Sequence, residues 1–392
     1  MTVVGANHSP VALRSTRDSS PVSWPDHILA WRDKLLASQR FQRWAAGFPL
    51  TRKIAENRAK TLFDLCAGFV YSQVLLACVQ LGLFDILAER PHTAVELSSR
   101  LALPSAAVTR LMMAAVALQL VEHRSGGRFG LGIHGAALRG NPAIADMIAH
   151  HVMLYDDLRD PVALLRGRSP ATALAAYWPY ARSAQPDALG DDAVAAYSTL
   201  MSSSQELIAQ DVLDAWPLSR HRCLLDVGGG EGAFLIAAAA RAADLHLMLY
   251  DLPAVAARAQ ARFAAAGLAH RASVASGDFL QSPLPRGADI VTLVRVLHDH
   301  DDNSALALLR NIRAALPSDG VLLIAEPMPG TAATDAIGDA YFGFYLLAMG
   351  SGRTRRAGEI AQLLRASGFD GGCQIATRRP LFAGAVIARP VD

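Results

Sequence analysis

From residue 220 onward the chain repeats one unit, a short apolar run, a loop and a helix-spaced stretch, and this rhythm limits what it can fold into. Cys223-Leu224-Leu225-Asp226-Val227 reads as a strand and Glu231 to Ala243 as a helix. Leu245 to Tyr250 reads as a strand, Ala254 to Ala265 as a helix, and Ala272 to Ser276 as a strand. Asp289 to Val294, Asn303 to Ala315 and Val321 to Ala325 continue the series. Strands that alternate with helices run parallel, because each helix carries the chain back to the same end of the sheet. The expectation is a doubly wound α/β domain over residues 218–392.

The loop after the first strand is Gly228-Gly229-Gly230-Glu231-Gly232. Glycines there let a ligand lie against bare backbone, and the following helix N-terminus offers unpaired N–H groups. Gly228, Gly230 and Ala233 also satisfy the loose G-x-G-x-x-A dinucleotide pattern, and Asp251 would bind a ribose diol in either case. Two features separate the readings. The Asp226 carboxylate beside the loop suits a ligand with an ammonium and a sulfonium, whereas it repels a pyrophosphate. Beyond the third strand, Asp278 can accept from an adenine amino group while Phe279 covers the ring. S-adenosylmethionine explains all three loops; NAD explains two. The expected cofactor residues are Asp226, Gly228, Gly230, Asp251, Asp278 and Phe279, with Arg295 beside the cofactor or its pocket.

Lysine usage removes other chemistries. Lys34, Lys53 and Lys60 are the only three, so the body of the chain has no Schiff-base, P-loop or kinase-type lysine. It also lacks the lysine of a Tyr-x-x-x-Lys oxidoreductase pair. The formal net charge of +2 draws the molecule as a whole toward neither nucleic acid nor an anionic membrane. Four scattered cysteines, Cys66, Cys78, Cys223 and Cys373, read as buried thiols in a reducing compartment. Met1 to Pro25 is too polar for a secretory h-region. The charge-free stretch Leu65 to Phe84 contains Ser72, Gln73, Gln80 and Gly82, with apolar residues at helical intervals. It reads as a buried or dimer-interface helix rather than a bilayer span. A cytoplasmic protein is expected.

Ahead of the α/β domain, residues 1–60 read as an arm, disordered over the first 20 or so and weakly helical and basic from Trp24. Residues 61–140 form a helical unit with a Thr93–Glu96 capping box and Ser105 as a helix cap. Val121 to Leu131 with Gly126-Gly127 supplies the hairpin of a winged helix. Its presumed recognition helix offers only Arg110 for phosphate or base contacts, so the module is read as a dimerisation unit and not a nucleic-acid reader. Residues 141–217 are helical and rich in His and aromatics, mostly core, with His150, His151 and Tyr155 the place to look for a pocket wall.

After the fourth strand comes Arg295-Val296-Leu297-His298-Asp299-His300-Asp301-Asp302. His298 and His300 raise a metal site. The strand-to-helix turn favours Asp301 and Asp302 as N-terminal helix acids, His298 as a base facing the transferable methyl, and His300 as an exposed turn residue. No metal is expected.

Asp226-Val227-Gly228-Gly229-Gly230-Glu231-Gly232, Tyr250-Asp251-Leu252-Pro253, Gly277-Asp278-Phe279, Leu297-His298-Asp299 and Glu326-Pro327-Met328 occur in this order. The combination resembles the small-molecule O-methyltransferases that couple a dimerising winged helix to a Rossmann-like catalytic domain. Longer strings, Leu62 to Leu76, Tyr155 to Ala163, Leu293 to Leu297, Tyr341 to Tyr345 and Met349 to Arg355, resemble the carotenoid O-methyltransferases of phototrophic bacteria. That resemblance implies S-adenosylmethionine as methyl donor, a homodimer, and the C-1 tertiary hydroxyl of hydroxyneurosporene or demethylspheroidene as acceptor, with a phenolic or polyketide acceptor, or a winged-helix regulator with a vestigial cofactor domain, as the alternatives. It implies transient contact with a membrane surface to collect the substrate. His298 falls on the family's catalytic histidine and Glu326 on its first supporting acid. Plant members carry a lysine where this chain has Val294, leaving Arg295, and their second supporting acid falls near Thr354. Trp178, Tyr180, Phe342, Phe344, Tyr345 and Met349, with His150 and Tyr155, are the expected walls of a polyene pocket.

Overall fold

The computed structural model describes residues 24–169, 171–178 and 191–391. The expected disorder before residue 20 and the pocket candidate Tyr180 lie outside them. The chain divides into two compact units, one ending at Gln73 and one beginning at Val74.

The first unit is helical: α1 (Trp24–Ala37), α2 (Gln39–Gly47) and most of α3 (Pro49–Gln80). Ser38 caps α2 by accepting from the Phe41 N–H. The expected arm boundary at residue 60 lies within α3, which is helical from Pro49 although its charge-free stretch starts only at Leu65. The helix expected to reach Phe84 stops at Gln80, and Gly82 takes a left-handed φ of 61° before a new helix starts at Leu83. Within one chain α3 is largely exposed: only Leu76 and Cys78 are buried, while Leu65 and Phe69 face outward. The stretch expected to be buried or at a dimer interface divides: Cys78, Leu83 and Phe84 pack in the core of the chain with Val74 and Leu75 against them, while Leu65, Phe69 and Val70 stay exposed.

In the second unit a small sheet, order β1 (His92–Thr93), β3 (Arg128–Leu131), β2 (Val121–Arg124), joins three short helices into a winged helix. The Thr93–Glu96 capping box is present, because both the Thr93 hydroxyl and the Glu96 carboxylate take up otherwise orphaned N–H groups. Pro104, rather than Ser105, occupies the cap of the third helix.

The main sheet has seven strands in the order β6 (Ala272–Ser276), β5 (His246–Asp251), β4 (Cys223–Val227), β7 (Ile290–Val294), β8 (Val321–Glu326), β10 (Gly384–Ala388), β9 (Cys373–Ile375). The five from β4 to β8 are parallel, and β10 runs antiparallel to β8. Adjacent residues feed opposite cores. Leu224, Ile290 and Leu323 pack on one face, Leu225, Val291 and Leu322 on the other. Burial on both faces explains why these strands read as unbroken apolar runs. From central β4 the chain builds outward to β6, then returns to build β7 and β8, so a crevice opens at the strand ends beside β4. The sequence expectation of buried cysteines is corrected at two positions: all four thiols are free, but Cys66 and Cys373 are exposed.

Candidate active site

The C-terminal ends of β4 to β7 surround a cavity of about 400 Å³, closed on one side by the helix Asp191–Ala215. Its floor is the glycine loop. Gly228, Gly230 and Gly232 all hold left-handed φ values. At Gly228 a Cβ would stand 2.8 Å from Val296, and at Gly232 it would stand 2.5 Å from the Phe263 ring. A Cβ at Gly230 would meet nothing within 4 Å, so the cavity reaches that stretch of backbone without hindrance.

The acids expected to hold a cofactor occupy different depths. Asp251 lines the cavity; its oxygens accept from the Gly230 and Leu252 N–H groups at 2.8 and 2.7 Å. Burial pushes its carboxyl up to about 6. Asp278 lines it too, while bracing its own turn through the Leu280 N–H and the Gln281 amide. Phe279 lies at the wall, edge-on to His300 with ring centroids 5.3 Å apart. Asp226 is beneath the loop rather than in the wall. One oxygen accepts from Thr292 Oγ1 at 2.6 Å; the other is buried without a partner, 2.6 Å from where a Gly229 Cβ would sit. Burial drives that carboxyl up to about 7. Arg295, at φ 60°, lines the cavity and donates to Ser204 Oγ at 2.7 Å.

His298 follows β7 in a turn of 3-10 helix, buried one layer behind the cavity wall, which here is Asp299 and His300. Its Nδ1–H donates to Glu326, whose other oxygen accepts from the Val296 and Leu297 N–H groups at 3.0 and 2.6 Å. Its Nε2 is 3.2 Å from Asp299 Oδ1. Burial alone lowers the imidazole pKa, but the Asp299 and Glu326 carboxylates outweigh it and hold the group above its usual value. Thr354 makes no contact of this kind; its hydroxyl donates to the Gly338 carbonyl. A second carboxylate therefore reaches the histidine from its sequence neighbour, on the side opposite Glu326.

Several residues at this site escaped the sequence reading. His300 was expected to be exposed; it is largely desolvated, which lowers its pKa, and it lines the cavity. Arg355, buried in full, straps the His298 turn by donating to the Leu297 and His300 carbonyls at 2.8 and 2.7 Å and to Asp302. Glu231 lines the cavity and pairs with Arg258 at 2.7 Å and Arg262 at 3.0 Å, fastening the loop to the helix Pro253–Ala265. The signal for Arg355 was Gly352-Arg353-Thr354-Arg355, since Gly352 leaves no room for a Cβ against the His298 carbonyl.

Of the residues expected to wall a substrate pocket, Trp178 lines the cavity and Phe342 stands edge-on to His298, with centroids 5.9 Å apart. His150, Tyr345 and Trp178 form one buried cluster: Tyr345 OH is 2.8 Å from His150 Nε2 and accepts from Trp178 Nε1 at 3.0 Å. Met349 packs in the same core. Tyr155 is at its edge, against His151, which is hydrogen-bonded to Tyr341 OH at 2.6 Å.

The cavity wall carries Glu231, Asp251, Asp278, Asp299 and Asp301 against Arg295 and His300. That acidic excess and the open backbone at Gly230 fit a cationic nucleoside and oppose a pyrophosphate. Seven-stranded order, glycine loop and carboxylate-held histidine define a class I methyltransferase. The chain belongs to the O-methyltransferases: residues 155–370 match the O-methyltransferase domain and residues 63–135 the O-methyltransferase dimerisation domain. It is an S-adenosylmethionine-dependent enzyme. It is 43% identical to demethylspheroidene O-methyltransferase of Cereibacter sphaeroides over 92% of this chain and 94% of the relative. The enzyme of that name from Rhodobacter capsulatus is 40% identical over 91% and 88%. Because residues 1–62 are about a sixth of the chain, alignments this long reach into the arm ahead of the dimerisation match. Among solved structures, a methyltransferase of calicheamicin biosynthesis with SAH bound superposes with a TM-score of 0.71 at 26% identity, over 86% of this chain and 98% of that one.

Proposed function

We propose that the enzyme methylates the C-1 tertiary hydroxyl of acyclic hydroxycarotenoids of the hydroxyneurosporene and demethylspheroidene type. The observation that carries this reading is the near-full-length similarity to two enzymes named for that substrate. The aromatic side of the cavity supports it, since Trp178 and Tyr197 line the wall and pack on the core of Tyr345 and Met349 behind them.

S-adenosylmethionine, when bound, supplies an electrophilic methyl group on a sulfonium sulfur. The Gly228–Gly232 backbone, Asp251, Asp278 and Phe279 are assigned to hold it, with the Asp226 carboxyl packed beneath the loop. His298 is the base. Glu326 fixes its Nδ1–H, so Nε2 receives the proton of the acceptor hydroxyl, and Asp299 stabilises the imidazolium that results. A phenol ionises near pH 10, whereas a tertiary alcohol is far less acidic. Proton removal is therefore concerted with attack, and alignment by the pocket does much of the work. Phe342 and the desolvated turn exclude water from the histidine.

The same reading takes residues 61–140 as a dimerisation domain, 141–217 as the substrate-pocket segment and 218–392 as the catalytic domain of a homodimer. The enzyme works in the cytoplasm and meets its substrate at a membrane surface. Incubation with labelled S-adenosylmethionine and a panel of hydroxycarotenoids and phenols, read by mass, tests the assignment. Label on the carotenoid hydroxyl is expected; label on phenols alone overturns it.

A further inference from the structure

The net charge of the chain hides an asymmetry. Residues 24–60 carry eight Lys and Arg, including all three lysines, against three Asp and Glu; this segment is +5 in a chain that is +2 overall. It also holds three of the five tryptophans, Trp24, Trp31 and Trp44. On α1, Trp24, Ile28, Trp31 and Leu35 recur at i, i+4, i+7 and i+11 and so form one stripe. Trp24 and Trp31 are 77% and 66% exposed. Lys34 and Arg32 flank the stripe, Arg32 paired with its neighbour Asp33 at 2.7 Å, while Asp26 falls on the opposite face of the helix. On α2, Trp44 stacks on Phe48 with centroids 5.1 Å apart, and Arg40 and Arg43 stand on the same short helix. At the start of α3, Leu50 and Ile54 are exposed one turn apart, beside Arg52 and Lys53. Among the described residues no ion pair holds Lys34, Arg40, Arg43, Lys53 or Arg58.

Exposed tryptophans beside an excess of cations, five of the eight held by no ion pair among the described residues, have one physical complement: an interface that is apolar below and negative above. We propose that residues 24–60 dock the enzyme on an anionic lipid bilayer, with the tryptophans at headgroup depth and the lysines and arginines on lipid phosphates. A second copy fits less well, because a twofold interface would set one +5 segment against another, and the arm lies outside the residues matched to the dimerisation domain. That docking serves substrate collection rests on the carotenoid reading; the docking itself does not.

The test is flotation of the full-length protein with vesicles of phosphatidylcholine alone and of phosphatidylcholine mixed with phosphatidylglycerol. Binding to the anionic vesicles is expected to be at least about tenfold stronger and to weaken as salt is added. The triple variant Trp24→Ser, Trp31→Ser, Trp44→Ser, and separately Lys34→Glu, Arg40→Glu, Arg43→Glu, are expected to lose vesicle binding. Both should retain the oligomeric mass of the parent by light scattering, which shows that they fold. Failure to bind the anionic vesicles, equal binding to both kinds, or variants that bind as well as the parent would overturn the proposal. So would a fall in oligomeric mass, which would assign the face to a second copy. With hydroxycarotenoid as acceptor, the variants should lose turnover on vesicle-embedded substrate and keep it on detergent-dispersed substrate. Absence of turnover on both forms by the parent enzyme would refute the carotenoid reading while leaving lipid docking standing or falling on flotation alone.

Discussion

Replacing Asp226 by asparagine measures what it costs to keep a carboxyl under the glycine loop. In the fold the group is buried, one oxygen is without a hydrogen-bond partner, and its pKa is raised from 3.8 to about 7. The cause is desolvation first; the Thr292 hydroxyl opposes it and the nearby Asp251 adds to it. A folded-state pKa above the unfolded one means that the folded protein keeps a proton the unfolded chain has released. Stability from this group therefore falls as pH rises from about 4 to about 7, and at 1.36 kcal/mol per unit the loss is about 4 kcal/mol. The amide of Asp226→Asn does not titrate, so any fixed cost of its geometry cancels when the variant is compared with the parent at two pH values. Urea unfolding between pH 4.5 and 8, followed by far-UV circular dichroism, reads the difference. The variant should gain on the parent by roughly 3–4 kcal/mol across that range. A difference that stays constant with pH would show that Asp226 is ionised throughout, and the account of a protonated carboxyl beneath the loop would be wrong.

Methyl transfer should speed up with pH through a midpoint above 6.5, because the Asp299 and Glu326 carboxylates hold the His298 proton and the base works only without it; Glu326→Gln should lower that midpoint. His298→Ala should cut kcat by about 10²–10⁴-fold with little change in cofactor affinity, and near-full turnover would leave alignment as the whole mechanism. Arg355→Met removes the donor to the Leu297 and His300 carbonyls and should cost about 1–3 kcal/mol in chemical unfolding, along with kcat. Gly232→Ala forces a Cβ to 2.5 Å from the Phe263 ring at φ 79°, and should cost about 1–3 kcal/mol. Calorimetry should also show weaker S-adenosylmethionine binding; unchanged affinity would mean that the loop tolerates the residue.

Local sequence was enough to set the parallel core of the sheet, since strands buried on both faces must be continuous apolar runs and their turns must carry glycine where backbone goes left-handed. It set the cofactor loops for the same local reason: Gly228, Gly230, Asp251 and Asp278 each sit within three residues of a strand end. The antiparallel strands β9 and β10 were not legible. Cys373–Ile375 is too short to show a period, and Gly384–Ala388 finds its partner, β8, only through pairing across more than 50 residues. What tertiary structure alone decided was reach. Asp226 was visible as an acid beside the loop, but folding put it beneath the loop without a partner rather than in the wall. Asp299 was visible beside His298, but only the turn of the chain brings its carboxylate to Nε2. Arg355 crosses more than 50 residues to tie that turn down. Local pattern fixes which backbone a segment adopts, whereas a side chain's partners depend on segments that sequence spacing leaves unconnected.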